Sequence, residues 1–443
     1  MTTILIENGI IITLGDSNKV LYDHSLVIEN GLITKIAPKN SIHGKFDKVI
    51  NAQGKVVMPG IINAHMHFYS TLVRGLGKAK PSKDFAEILN NLWWRLDKKL
   101  TLADTYYSAL IMMLNAIRHG TTTFIDHHAS PFAARGSLLE IAQAILETGL
   151  RGSLCYELSD RDGAKIADEG IAENIDFIKY CQEHNNDQLK ALFGLHASFT
   201  ISDKTLDKAV QAAKPFNTGF HVHTAEAFSD QENTLKMCGK RVVERFKAHG
   251  ILGPQTVAAH CVHINEKEMN LLAETNTMVV HNPQSNMNNA VGIADIVTMM
   301  QKGILVGLGT DAMTVNMFEE VRVALWAQHL RANNCSVGFM EAANTLFLNN
   351  AKIANRIWHD VKLGALEEGF AGDVILIDYE APTPLDEMTV LGHLIFGISQ
   401  CSVDTTIVKG RVLMENKKLL LDIDEAEVAA KSKELAKKLW ERF

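Results

Sequence analysis

Near the N-terminus, short apolar runs are punctuated by turn dipeptides. Ile4-Leu5-Ile6-Glu7, Asn8-Gly9 and Ile10-Ile11-Ile12-Thr13 predict a β-hairpin, because both positions of a two-residue turn favour positive φ and Asn-Gly tolerates it. The pattern recurs at Leu26–Glu29, Asn30-Gly31 and Leu32–Ile36, and Gln53-Gly54 leads into Val56-Val57-Met58-Pro59-Gly60. From there the period changes. Short apolar strands ending in polar residues start near Ile61, Thr122, Gly152, Ala191, Gly219, Thr256, Thr277 and Leu305. Amphipathic stretches such as Leu138–Leu146, Ile171–Tyr180 and Val242–Ala248 lie between them. Strands alternating with helices in this way predict an α/β chain built on a (β/α)8 TIM barrel. A doubly wound sheet is the alternative, but no GxGxxG follows the first strand.

After Gly364 strand signals return, at Asp373–Ile377 and Thr405–Val412. Both ends are therefore β-rich and are expected to pair into one small discontinuous β-sandwich. The expected division is residues 1–57 and 367–443 in the sandwich and 58–366 in the barrel, with a closing helix over about Glu425–Trp440.

Composition narrows the class. The chain is 47% hydrophobic and 21% charged, ordinary for a globular enzyme and unlike a disordered or fibrous chain. A net charge of -7 without a basic stretch argues against nucleic acid as partner. No apolar run is long enough for a transmembrane helix, and Met1-Thr2-Thr3 lacks the basic start of a secretory signal. The six cysteines are scattered without a CxxC pair and read as reduced thiols. A cytoplasmic protein is expected.

Histidine is the unusual residue, with eighteen in the chain. His65, His67, His127, His128, His196, His221, His223, His260, His263 and His281 all fall at predicted strand ends, where barrel enzymes carry their chemistry. In His65-Met66-His67, strand period two puts both imidazoles on one face, an arrangement that suits Zn2+ or Fe2+ but also two satisfied loop histidines. His221-Val222-His223 repeats the parity. His223, nearer the mouth, reads as a third ligand, and His221 as a layer residue beneath it. Glu226 follows just beyond. Asp311, at the tip of Gly307-Leu308-Gly309-Thr310, reads as a carboxylate ligand or base, or as a helix N-cap. His260 and His196 end the sixth and fourth strands; each alone would be a packed histidine. The joint pattern of HxH, HxxE, His and Asp at successive strand ends favours a metal-dependent active site.

The chain resembles the amidohydrolase superfamily. The resemblance rests on Met58-Pro59-Gly60-Ile61-Ile62-Asn63-Ala64-His65-Met66-His67, Arg74-Gly75-Leu76, His223-Thr224-Ala225-Glu226, Ala259-His260-Cys261, His281-Asn282-Pro283-Gln284-Ser285-Asn286 and Gly309-Thr310-Asp311. It is most similar to the cyclic-amidine branch, with guanine deaminases, S-adenosylhomocysteine deaminases and triazine hydrolases. Leu92–Asp97 and Ile125–Pro131 resemble one aminohydrolase subgroup within it. The resemblance implies that His65, His67, His223 and Asp311 bind one divalent ion, Zn2+ or else Fe2+. It also implies that Glu226 shuttles protons, that His260 and Asp311 orient the attacking water, and that His196 faces the substrate. Two-metal relatives bridge their ions with a lysine or carboxylate on the fourth strand; here Leu192-Phe193-Gly194-Leu195-His196 has neither, so one ion is expected.

The implied reaction is hydrolytic deamination, with metal-bound hydroxide attacking a ring amidine carbon. A ring-opening cyclic amide hydrolase and a non-catalytic metal-binding protein are the alternatives. Trp93 or Trp94 is expected to stack on a flat substrate, only one of them facing the site because helix neighbours diverge. His196, His281, Asn282, and His127 or His128, with Ser285 and Asn286 nearby, are expected to supply neutral donors and acceptors. After the third strand only Arg161 is available to read an anionic tail. A small aminated heterocycle such as a purine or pterin base is therefore expected rather than a nucleotide. A homodimer or higher homo-oligomer is expected, with no membrane partner.

Overall fold

The computed structural model describes residues 3–443. Met1 and Thr2, part of the segment read above for a secretory signal, lie outside the described residues. Eight parallel strands carry the centre of the chain: β1 (Ile61–Met66), β2 (Thr121–Asp126), β3 (Arg151–Leu154), β4 (Phe193–Ala197), β5 (Phe220–Thr224), β6 (Val257–His260), β7 (Met278–His281) and β8 (Val306–Leu308). Each begins within two residues of the start expected from the apolar pattern. They form two parallel sheets. One runs from the short strand Leu189–Ala191 through β3 and β2 to β1, the other from β4 to β8 in chain order. Isolated parallel bridges Met66–Asp311 and Leu158–Leu195 span the two gaps between the sheets. At the first gap the backbone N–H groups of Thr310 and Asp311 both donate to the carbonyl of His65, at 2.9 and 3.0 Å. The end of β1 and the loop after β8 are thus stitched together where the candidate ligands sit.

The helices between the strands cover the outer face, so β1 and β2 are buried along their whole length. This is the expected condition of parallel strands covered on both sides. The helix Leu102–Arg118 starts at a capping box in which Thr101 and Asp104 satisfy each other's backbone N–H groups. It buries Ala109, Met113 and Ile117 in a core shared with Ser137–Thr148.

Strands from the two ends of the chain share a sheet, but one turn does not act as its sequence suggests. A four-stranded sheet has the order Leu32–Pro38, His24–Glu29, Thr3–Glu7, Lys48–Asn51. A seven-stranded sheet combines Val56–Pro59, Ile10–Ile12 and Val20–Leu21 with Val374–Ile377 and the strands that follow it. Isoleucines 4, 6, 28 and 50 of the first sheet share one core with Val57, Val374 and Ile407 of the second. Asn30-Gly31, both at positive φ, closes a true hairpin. Asn8-Gly9 does not: it passes the chain from the first sheet to the second. Only Asn8 takes positive φ there, and a Cβ on Gly9 would lie 2.5 Å from Val57 Cγ2, so the glycine serves close packing rather than a two-residue turn.

Arg151, fully buried at the start of β3, ties the parallel strands to this β-rich part. Its Nε donates to Asp373 Oδ2 and its Nη1 to Asp187 Oδ2, each at 2.8 Å. The C-terminal helix Glu425–Arg442 covers the segment after β1, where Trp440 Nε1 donates to the Leu72 carbonyl at 2.8 Å. No single described helix is long and apolar enough to cross a membrane.

Candidate active site

The ends of β1, β5, β6 and β8 converge on one point. His67 donates from Nδ1 to the carbonyl of His127, which turns Nε2 toward Asp311 Oδ1 at 3.0 Å. His223 Nε2 lies 3.2 Å from His67 Nε2, and His65 Nε2 lies 3.8 Å from Asp311 Oδ1 with no hydrogen-bond partner. His221 sits beneath, its Nε2 2.8 Å from His65 Nδ1. The structure therefore brings buried His65, His67 and Asp311 together, with half-buried His223 beside His67 and His65.

Three residues reach this point through backbone that side chains other than glycine rarely adopt. Ala225, His260 and Asp311 have φ of 48°, 74° and 53°. Left-handed conformations of this kind cost free energy and gather at functional sites. Each turns the chain sharply just as the strand ends. Gly309 permits the approach of β8 to β1, since a Cβ there would lie 2.7 Å from the His65 carbonyl oxygen and 2.5 Å from Asn282 Oδ1.

Glu226 and His260 flank the cluster. Asn286 donates its amide to His260 Nδ1 at 2.8 Å, so Nε2 bears the proton. That Nε2 faces Glu226 Oε2 at 3.5 Å and Asp311 Oδ2 at 3.9 Å. Burial, reinforced by the charges of Asp311 and Asp230, pushes the Glu226 carboxyl well above the usual carboxylate range. Burial also opposes the charge of Asp311, but His67, His260 and the Ser285 hydroxyl facing it outweigh this and hold that carboxyl low. Asp230 accepts the Glu226 backbone N–H at 2.9 Å and fixes the loop.

The cleft above the cluster is walled by Tyr69, Phe85, Leu89, Trp93, Trp94 and Phe199. Both tryptophans line it, contrary to the expectation that only one can. The segment Leu89–Trp93 is a π-helical turn flanked by short α-helical pieces, and its altered winding changes the angle between neighbours. Trp94 packs edge-on against His196, with centroids 6.1 Å apart, and the Arg161 guanidinium lies over its ring at 4.9 Å.

His196 lines the cleft, and burial lowers its pKa to about 3. His128, His281 and Asn282 do not line it. His128 is turned to Ser130 Oγ at 2.9 Å, both ring nitrogens of His281 are buried without partners, and Asn282 packs against His260. Their strand ends point them behind the wall. Arg161 does not line the cleft; its Nη2 donates to Asp97 Oδ2 at 2.9 Å, while Nη1 is buried without a partner.

Sequence reasoning missed Asp97, Glu157 and Asn289, which all line the cleft. Asn289 donates to Glu226 Oε1 at 3.2 Å. Glu157 follows β3 and was read only as part of a loop, although a carboxylate so close to a barrel strand end was a visible signal. Burial works against its charge, and the facing imidazoles and Arg161 more than offset this, holding it below the usual range. Burial pushes Asp97 up to about 6 against the pull of Arg161.

The Amidohydrolase family model matches residues 56–413. The chain is 31% identical to the 5-methylthioadenosine/S-adenosylhomocysteine deaminase of Thermoanaerobacter pseudethanolicus, covering 99% of this chain and 100% of that protein. It is 32% identical to the 5'-deoxyadenosine deaminase of Methanobrevibacter smithii, covering 99% and 98%. Among solved structures, a zinc-bound adenosine deaminase from Xanthomonas campestris superposes with a TM-score of 0.86 at 22% identity, over 99% of this chain and 98% of that one. Guanine deaminase of E. coli gives 0.79 at 20% identity, over 94% and 100%. With this match spanning most of its length, the chain belongs to the amidohydrolase family and is a hydrolase of carbon–nitrogen bonds.

Proposed function

We propose that this enzyme deaminates a small aminated heterocycle by hydrolysis. The observation that carries the reading is the convergence of the Glu226 carboxyl, the His260 Nε2 3.5 Å from it and the Asp311 carboxyl 3.9 Å from that same nitrogen over one buried point. A carboxyl group so placed can move a proton from water to a leaving amine.

The donor set fits a divalent ion. His65 Nε2 is buried without a partner, and the donor atoms of His65, His67 and Asp311 lie within 4.8 Å of one another. Three imidazoles and a carboxylate match a catalytic zinc site with an open position. One Zn2+ is the proposed ion, with Fe2+ the alternative, held by His65, His67, His223 and Asp311. When bound, such an ion lowers the pKa of its water toward neutrality. The chain's own groups do the rest: Glu226 is placed to carry a proton between the attacking water and the leaving amine, while His260 and Asp311 orient that water. The wall of Trp93 and Trp94 suits a flat ring.

Among the described residues, the cleft lining holds no lysine or arginine. This disfavours a nucleotide or another anionic tail. The names of the relatives bring adenine nucleosides into consideration beside free bases. The two parallel sheets read as one eight-stranded barrel spanning 58–366, with 1–57 and 367–443 as the sandwich; a homodimer or higher homo-oligomer in the cytoplasm completes the proposal. The test is ammonia release from purine and pterin bases, nucleosides and nucleotides. Ring opening without ammonia would replace the reading with that of a cyclic amide hydrolase.

A further inference from the structure

The short helix Pro283–Asn288, with the residue after it, holds three active-site groups that come from three different strand ends. Ser285 donates its hydroxyl to the Asp311 carboxylate, beyond β8. Asn286 Nδ2 lies 2.8 Å from His260 Nδ1, at the end of β6. Asn289 donates to Glu226 Oε1, beyond β5, at 3.2 Å. One polar atom each from Glu226, His260 and Asp311 lies within 4.8 Å of the others. The helix itself follows β7. A single stretch after β7 thus sets the spacing of groups carried by three other strands.

The start of this helix is weakly held from within. Its first residue is Pro283, which has no N–H, and the Asn282 side chain caps nothing. Gln284 therefore presents the first free N–H of the helix. Glu320 takes it: its Oε1 accepts that N–H at 3.0 Å. Glu320 is fully buried in the first turn of the helix Met317–Ala332, which follows β8. Met317, Phe318 and Val321 anchor that helix in the main core. Glu320 does not line the cleft, and its Oε2 has no partner. Burying a carboxyl with one oxygen unpaired costs free energy. An apolar side chain would avoid that cost, and what Glu320 supplies in return is the bond that fixes the helix start. Burial pushes its carboxyl well above the usual range, so the helix meets a neutral acceptor.

We infer that Glu320 is a positioning residue: it pins the start of Pro283–Asn288 so that Ser285, Asn286 and Asn289 keep Asp311, His260 and Glu226 at their mutual distances. A helix of 6 residues is too short to hold its place unaided. Freeing its first turn would loosen all three contacts together, although Glu320 touches none of the three groups. The catalytic weight of the link rests on the deaminase reading; the link between the two helices does not. Partners one layer behind a site typically contribute 10–100-fold.

Three variants test it. Glu320→Gln keeps the size and an acceptor oxygen. Glu320→Leu keeps the bulk and removes the acceptor, and Glu320→Asp withdraws it by one methylene. Amide exchange over residues 283–289, zinc affinity by chelator competition, and kcat for ammonia release are measured on the folded, zinc-loaded proteins. Glu320→Leu and Glu320→Asp are expected to speed exchange in that segment at least about tenfold. They should also lower kcat and zinc affinity at least about tenfold. Glu320→Gln should stay within about threefold of the wild type in all three readouts. A folded Glu320→Leu with unchanged exchange, affinity and kcat would overturn the inference. So would a lower melting temperature with exchange over 283–289 and kcat unaltered, since Glu320 would then serve stability alone. A folded Glu320→Gln with kcat reduced more than about tenfold would overturn it as well, and this arm decides if the other two variants do not fold. If the wild type releases no ammonia but exchange and zinc affinity still follow Glu320, the positioning stands and the deaminase reading falls.

Discussion

His221 Nε2 lies 2.8 Å from Nδ1 of His65, in the layer beneath the candidate ligands. For His65 to offer Nε2 to an ion, its Nδ1 must carry the proton, and His221 is the acceptor. His221 Nδ1 in turn faces Cys155 Sγ at 3.6 Å. Burial holds both imidazoles far below their ordinary pKa, and thus neutral. His221, read from sequence as a layer residue, is a positioning residue for the first ligand. Outer partners of this kind typically contribute 10–100-fold to metal affinity. His221→Leu is accordingly expected to weaken binding about tenfold or more, measured by chelator competition with elemental analysis. Unchanged affinity would remove it from this role.

Glu226→Gln tests the proton carrier. The amide keeps the bond from Asn289 and the shape of the site but cannot carry the proton. The bound ion should be retained while kcat falls by at least about two orders of magnitude, the usual scale of general acid–base catalysis. A variant that keeps most of its kcat would take Glu226 out of the mechanism.

Asp97 makes stability depend on pH in a definite direction. Its pKa is raised by burial from the ordinary 3.8 to about 6. The folded state therefore holds this proton more tightly than the unfolded state. The resulting stabilisation is complete below about pH 4 and is lost as pH rises through about 6, on the order of 2–3 kcal/mol. Asp97→Asn cannot titrate and carries only a constant offset from the loss of the Arg161 pair. The melting temperature of the wild type relative to the variant should fall between pH 4 and 6 and level off above about 7. A flat difference across that window would contradict the raised pKa.

Arg151→Met probes the clamp between the parallel strands and the β-rich ends. It strands the carboxylate of Asp373, which is 5% exposed and keeps only the Lys409 backbone N–H. Removing one partner of a buried ion pair typically costs 3–5 kcal/mol. Denaturant unfolding should register about that loss, while the ion content of the folded fraction stays at the wild-type level. A loss below about 1 kcal/mol would mean that the clamp contributes little.

The sequence by itself determined the periodic features. Eight strand starts were legible within two residues because buried parallel strands must be continuously apolar. The parity of His65 with His67, and of His221 with His223, followed from the two-residue repeat of a strand. The tertiary structure decided what depends on contacts between distant segments. Asn8-Gly9 joins two sheets because Val57 packs against the glycine. Trp93 and Trp94 both reach the cleft through a π-turn that local pattern does not reveal. His128, His281 and Asn282 lie behind the wall, whereas Asp97 and Glu157 stand in it, because left-handed turns and close strand approaches set side-chain direction beyond each strand end. Periodicity ends where the strand ends, and there only long-range packing fixes which way a residue points.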